Sequence, residues 1–301
     1  MKSKLQTIPS NKINHQKWDE CVLQHKAPIY TKFIFLNTMA NNWVGLVLND
    51  YEAVMPICYR KKIGITYIYT PAFIQQLGWI GKKNIEWELI EKAVLSIVKY
   101  GDIMFNHYND FDAIDLERKT NFIINLSADY NKISSNYKSD LKQNLKKASR
   151  ENLFYQQSNN VEQAISLYKN TYSHRMNGLT DNDFNNFTQL CLSLQKTGDC
   201  FVREVVNSKQ ELLAIALLLI DENRIYNLAN STTTLGRNTE ANHFLIDSIL
   251  KEFANSNYIF DFEGSDLVGV NSFYKKFGSV NEPYYHWHFN HLPKLIKWLK
   301  P

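Results

Sequence analysis

Tyr258-Ile-Phe-Asp-Phe-Glu-Gly-Ser265, followed by Val268-Gly-Val-Asn-Ser-Phe-Tyr-Lys-Lys-Phe277 and Gly278, is the stretch whose reading decides the fold. Its first part is a short aromatic-rich run, a buried strand that stops at a Gly. Its second part has helical spacing, closed by Gly278. Upstream, Phe201–Val206 and Leu212–Ile220 read as apolar strands and Arg224–Ser231 as a third strand with polar ends. A loop, Thr232–Thr239, then enters an amphipathic helix over Glu240–Asn255. This order brings a strand end, a loop and a helix N-terminus together, where a ligand carrying phosphate is readily held.

The same pattern occurs earlier. Trp43–Leu48 and Tyr51–Tyr59 read as a hairpin, Ile65–Thr70 as a third strand, Asn84–Lys99 as a helix and Asp102–His107 as a strand with a polar end. The two copies are separated by about one average domain length. Residue identity between them is poor, so the repeat is one of pattern. It predicts two related halves, each built β-β-β-α-β, with boundaries at residues 1–126 and 127–301.

The 301 residues are 44% hydrophobic, enough to bury either one large core or two ordinary ones. A formal charge of +4 is too mild to mark a nucleic-acid protein. Cys21, Cys58, Cys191 and Cys200 are scattered with no C-x-x-C pair, as expected of a reducing cytoplasm. Met1-Lys-Ser-Lys-Leu-Gln6 lacks the apolar core of a secretory signal. The longest apolar run, Leu212–Ile220, falls far short of the ~20 residues a spanning helix needs. The expected location is cytoplasmic.

Further elements are expected at Asn14–His25 (helix), Tyr30–Asn37 (edge segment), Phe122–Leu126 (strand closing the first half), Val161–Arg175 and Asp181–Lys196 (helices), Tyr284–Phe289 (strand) and Pro293–Leu299 (helix). Asn136–Asn152 is a clear helix, with Leu141, Leu145 and Ala148 on one face. Lys138, Lys142, Lys146 and Arg150 form a stripe at i, i+4, i+8 and i+12. Such a stripe is either a solvated face or a path along a phosphate-bearing substrate.

Strand alternation puts Phe260 and Phe262 on one face of the last apolar strand and Asp261 and Glu263 on the other. Two carboxylates on one face of a central strand are costly unless satisfied or used. Burial and mutual repulsion would raise the pKa of at least one and make it a general base; the alternative is a structural network. Gly236, Arg237, Asn238 and Thr239 could meet an anion, or Asn238 or Thr239 could be nothing more than an N-cap. His286, His288 and His291 have no partnering Cys or second His pair, and their aromatic neighbours read as a packed strand, so no metal is expected. Ser265 sits in Glu-Gly-Ser rather than in a G-x-S-x-G elbow, and no Walker or dinucleotide motif is present.

Asp261-Phe-Glu-Gly-Ser265, Gly269-Val270 and Phe273-Tyr-Lys-Lys-Phe-Gly278 resemble the C-terminal motif of FemAB-like acyltransferases of the GNAT superfamily. Met55-Pro-Ile-Cys-Tyr-Arg-Lys-Lys62 with Gln75-Gln-Leu-Gly78 looks like the N-terminal half of a branch of them, and Tyr137–Lys147 and Tyr168–Gly178 match as well. The resemblance implies an α/β fold of tandem GNAT-like domains, each a mostly antiparallel mixed sheet flanked by helices. It implies N-acyl transfer from acyl-CoA to a primary amine of a small molecule or peptide. The donor cleft is then expected between Arg224–Ser231 and Tyr258–Ser265. Glu263 is the expected base with Asp261 beside it, and Tyr226 or Tyr274 protonates the leaving group. Gly236, Arg237, Asn238 and Thr239 face donor phosphate, and Arg60, Gln76 and Arg175 contact the acceptor. Thr233–Asn238 keeps only the Gly of the usual pyrophosphate loop, [RQ]-x-x-G-x-[GA]. The alternatives are an aminoacyl-tRNA-dependent transferase acting on a peptidoglycan precursor, which would use the lysine stripe, and a non-catalytic module binding a peptide or lipid head group.

Overall fold

The computed structural model describes residues 4–81, 85–111, 114, 116–175, 178–264 and 268–297. Ser265, the side chain of Arg175 and the end of the expected last helix lie outside the described residues. The first elements are β1 (Leu5–Pro9), α1 (His15–Gln24), α2 (Phe33–Met39), β2 (Trp43–Leu48), β3 (Ala53–Lys62), β4 (Ile65–Ile68), α3 (Trp87–Ile97), β5 (Tyr100–Phe105) and β6 (Glu117–Lys119). Then come β7 (Phe122–Asn125), α4 (Tyr130–Ser135), α5 (Ser139–Ala148), β8 (Phe154–Ser158), α6 (Val161–Tyr172), α7 (Asp181–Thr197), β9 (Cys200–Val206), β10 (Leu212–Ile220) and β11 (Arg224–Thr232). The chain ends with α8 (Thr234–Asn238), α9 (Ala241–Glu252), β12 (Ile259–Asp261), α10 (Val268–Lys275), β13 (Val280–Asn281), β14 (Tyr284–Asn290) and α11 (Lys294–Lys297).

Two compact units result, one from residues 1–119 with 283–301 and the other from 120–282. Each holds a seven-stranded sheet, β1-β2-β3-β4-β5-β14-β6 in the first and β13-β7-β12-β11-β10-β9-β8 in the second. The repeat is visible in both: three antiparallel strands, a helix, then a strand parallel to the third (β4 with β5, β11 with β12). Two strands differ from the expected assignment. β7, read as closing the first half, pairs with β12 and β13, whereas β14 returns to pair with β5 and β6. The first sheet takes β14 from beyond the second unit, whereas β7 lies within the second unit's own run, residues 120–282. An apolar run shows that a segment is a strand but not which edge it completes.

Tyr30–Asn37, expected as an edge segment, is a 3-10 turn running into α2. Its Phe35, Leu36 and Met39 are buried at helical spacing, a period the aromatic and β-branched content concealed. The boundaries of α7 follow from its caps. Thr180 and Asp183 form a capping box, and Gly198 closes the helix at φ +83. In the first unit, Trp87, Ile90 and Val94 of α3 pack on Leu46, Met55, Phe105 and Trp287. In the second, Leu245, Ile246, Ile249 and Leu250 of α9 pack on Ala216, Leu218, Ile225, Phe260 and Phe262. Each such α9 side chain contributes roughly 1.5–3 kcal/mol by leaving water. α6 contacts β9, β10 and β11, and α7 contacts β9.

Candidate functional site

β11 and β12 run parallel for three register pairs, Arg224 with Ile259, Ile225 with Phe260 and Tyr226 with Asp261. β12 then stops, while β11 continues alone to Thr232. On its other side β11 carries an extra residue against β10, since Tyr226 pairs with Leu219 and Ala229 with Leu217. A bulge there bends the strand away from its neighbour. The ladder between these strands therefore ends at Tyr226 and Asp261.

Along this free part of β11, Asn227 is 4% and Ser231 0% exposed. Asn227 Oδ1, Asn230 Nδ2 and Ser231 Oγ have no hydrogen-bond partner among the described residues. Buried polar atoms are nearly always paired in a finished protein. Asn230 and Ser231 are adjacent on the strand and so face opposite sides of the sheet, and the three atoms do not share one surface.

Glu263 follows directly on β12. The strand ends before it, and its backbone takes φ +60, a conformation uncommon outside Gly, Asn and Asp. Burial pushes its carboxyl up to about 8. Tyr274 of α10 stacks on Phe262 with ring centroids 4.6 Å apart. Burial, with Tyr168, Glu263, Tyr172 and Asp261 as electrostatic neighbours, holds its phenol well above the ordinary value. Tyr168 and Tyr172 stand one turn apart on α6, ring centroids 5.2 Å from each other. Glu263, Tyr274, Tyr168 and Tyr172 are each half-buried and lie close enough to act on one another electrostatically.

Asp261 is held in an ion-pair and hydrogen-bond network. Arg224 Nη1 donates to its Oδ2 at 2.5 Å and Asn121 Nδ2 at 3.1 Å, while Glu263 N donates to Oδ1 at 2.9 Å. Arg224 Nη2 also meets Glu282 Oε2 at 2.8 Å. Asp261 thus accepts from three donors, one of them a buried guanidinium. Glu263 is therefore raised by desolvation and not by a repelling neighbour. Tyr226 donates its hydroxyl to Asp221 Oδ2 at 2.6 Å.

The expected phosphate loop is a helix. Thr233 caps α8, its Oγ1 accepting from Gly236 N at 3.0 Å. A Cβ on Gly236 would lie 2.0 Å from Leu213 O, so this Gly serves close packing on β10. Thr239 Oγ1 donates to Leu235 O and Gly236 O at 3.3 and 3.2 Å, and Arg237 and Asn238 are exposed. Glu240 occupies the N-cap of α9, its carboxylate held by Lys147 Nζ and His243 Nδ1, each at 3.0 Å. An acidic group thus stands at the N-terminus of α9, next to the residues expected to face donor phosphate.

Arg60 and Gln76 lie in the first unit. Arg60 Nε donates to Asn41 Oδ1 at 2.6 Å, and its guanidinium sits 4.0 Å from the Tyr69 ring centroid. Gln76 is 2% exposed; its Nε2 donates to Gln75 Oε1 at 2.6 Å and its Oε1 accepts from His107 N at 3.3 Å. Arg175 ends a 3-10 turn, Ser173–Arg175. His286 Nε2 and His288 Nδ1 both approach Asp102 Oδ1, at 2.9 and 2.8 Å, and His286 Nδ1 approaches Glu117 Oε2 at 2.9 Å. Among the described residues no group of His, Cys, Asp and Glu is arranged to hold a metal ion. No described helix is long and apolar enough to cross a membrane.

Sequence reasoning missed Asn227, Asn230, Ser231, Tyr168 and Tyr172. The tyrosine pair carried a signal at i, i+4 on a helix. The β11 residues carried none, because their lack of partners is a tertiary fact.

No family model matches the chain, and no curated protein matches it by sequence. Solved structures do. FemX superposes with a TM-score of 0.69 at 12% identity, covering 100% of both chains. A conserved protein of unknown function from Bacteroides thetaiotaomicron gives 0.63 at 10% identity, covering 92% of this chain and 98% of its own. L-PGS from Bacillus licheniformis gives 0.55 at 10% identity over 93% of each. The chain has a FemAB-like, GNAT-related fold of tandem α/β domains.

Proposed function

We propose that the second unit transfers an acyl group to a primary amine. The observation that carries this reading is Glu263, a carboxyl raised to about 8 at the end of β12, where β11 and β12 part. The donor lies along the free part of β11, where its polar groups complete Ser231. Glu263 as carboxylate takes a proton from the acceptor ammonium. The amine nitrogen attacks the acyl carbon, and a β11 backbone N–H near the bulge stabilises the oxyanion. The bond to the thiolate or alkoxide breaks; Tyr274, kept neutral by burial, gives that group its proton and recovers one from the nitrogen as the amide forms. The same fold in FemX and L-PGS supports the reading.

The donor in this reading is a thioester, acyl-CoA. A second reading, an aminoacyl ester carried on tRNA, is favoured by Glu240 at the α9 N-cap. It is also favoured by Lys138, Lys142, Lys146 and Arg150, all exposed on or beside α5. A panel of acyl-CoA and aminoacyl-tRNA donors with amine acceptors separates the two. With the active pair, Glu263→Gln lowers turnover at least ~100-fold; unchanged turnover refutes the base. If tRNA is the donor carrier, reversing Lys138, Lys142 and Lys146 to Glu weakens its binding and flattens the salt dependence by ~2–3 in log–log slope.

A further inference from the structure

The hairpin between β3 and β4 carries a turn whose residues conflict with its geometry. Lys62 pairs with Ile65, leaving Ile63 and Gly64 as the loop, at φ +50 and +77. Two central residues with positive φ are the mark of a type I′ turn, which Asn-Gly or Asp-Gly fills at low cost. A β-branched residue at the first position is an outlier. Ile63 is also 92% exposed, more than any other large hydrophobic side chain among the described residues. This tip is unfavourable in water twice over, through backbone strain and through apolar exposure.

Its surroundings indicate what it meets. Lys61 and Lys62 are both exposed, and neither pairs with a carboxylate among the described residues. Further along the stem, Tyr67 and Tyr69 stand with ring centroids 6.5 Å apart. An apolar point ringed by lysines, with tyrosines behind it, matches the layers of an anionic bilayer surface: acyl boundary, charged headgroups, then interface. A two-residue tip is too narrow for a specific protein interface, which needs a broad complementary area.

We infer that the Ile63 hairpin tip docks the protein reversibly on an anionic lipid surface. One inserted side chain and two lysines make a weak anchor, so docking depends on lipid charge and on salt.

The test is sedimentation of the full chain with phosphatidylcholine vesicles, with and without phosphatidylglycerol. Partition is expected only with phosphatidylglycerol and to decline with salt. Ile63→Asn installs the residue that the turn prefers, so it should raise Tm while weakening partition about tenfold. Lys61→Glu with Lys62→Glu should weaken it at least about 25-fold, at about fivefold per lysine removed. A more stable protein that binds less well cannot be explained by misfolding. Equal partition of wild type and Ile63→Asn, or equal partition onto neutral and anionic vesicles, overturns the inference.

Discussion

Tyr226 and Asp261 are the last residues paired between β11 and β12. Before this pair, the parallel strands share a ladder and a guanidinium-centred ion network holds them together. Beyond it, β11 has a free edge with unpaired polar side chains, and Glu263 turns off the end of β12. The network and the free edge are adjacent, so stability and chemistry can be separated by mutation.

The first prediction concerns pH. Glu263 has a folded-state value of about 8 against an ordinary 4.5, so the fold favours its neutral form. Its contribution to stability is complete below about 4.5 and is lost as pH rises through about 8. Glu263→Gln should therefore raise Tm relative to wild type at pH 9 and leave it unchanged at pH 4. Activity runs the other way in wild type, rising with pH through about 8 as the base form appears. Thermal scans at the two pH values and a pH–rate profile check both signs.

Asp261 should behave as structure. Asp261→Asn leaves Arg224 with only Glu282 and should cost about 3–5 kcal/mol in urea denaturation, the range for breaking a buried pair. A variant of wild-type stability but low turnover would instead make Asp261 part of the chemistry.

Ser231→Ala removes a hydroxyl with no hydrogen-bond partner among the described residues. No bond is broken, so stability without ligand should stay within about 0.5 kcal/mol of wild type or rise slightly. Donor KM should increase. A loss of stability above 1.5 kcal/mol would show that the hydroxyl is already satisfied.

Gly236→Ala distinguishes packing from anion binding. The added methyl meets Leu213 O, so the variant should lose about 1–3 kcal/mol or more. Unchanged stability with a raised donor KM would support the phosphate reading.

Local sequence carried much of this architecture. The bounds of β2 and β10 follow from their apolar runs, and those of α7 from Thr180 and Gly198. Phe260 and Phe262 on the α9 face follow from alternation. β8 was missed because Phe154–Ser158 is a polar edge strand with a weak pattern, and α2 because its aromatic and β-branched residues mimic a strand. For the candidate site, Glu263 and Tyr274 were legible from their position in one motif. The packing of Gly236 was not, because the room around it depends on Leu213, which lies on another strand.

By itself, the sequence determined the type of each major element, the face its apolar residues present and the doubled β-β-β-α-β order, because these depend on periodicity over neighbouring residues. Tertiary structure decided which sheet each closing strand joins, where β11 leaves β12, and that of two carboxylates two residues apart one is neutralised and the other is not. Asp261 meets Arg224 from 37 residues away and Asn121 from 140, and charge compensation over such separations exists only once the chain has folded.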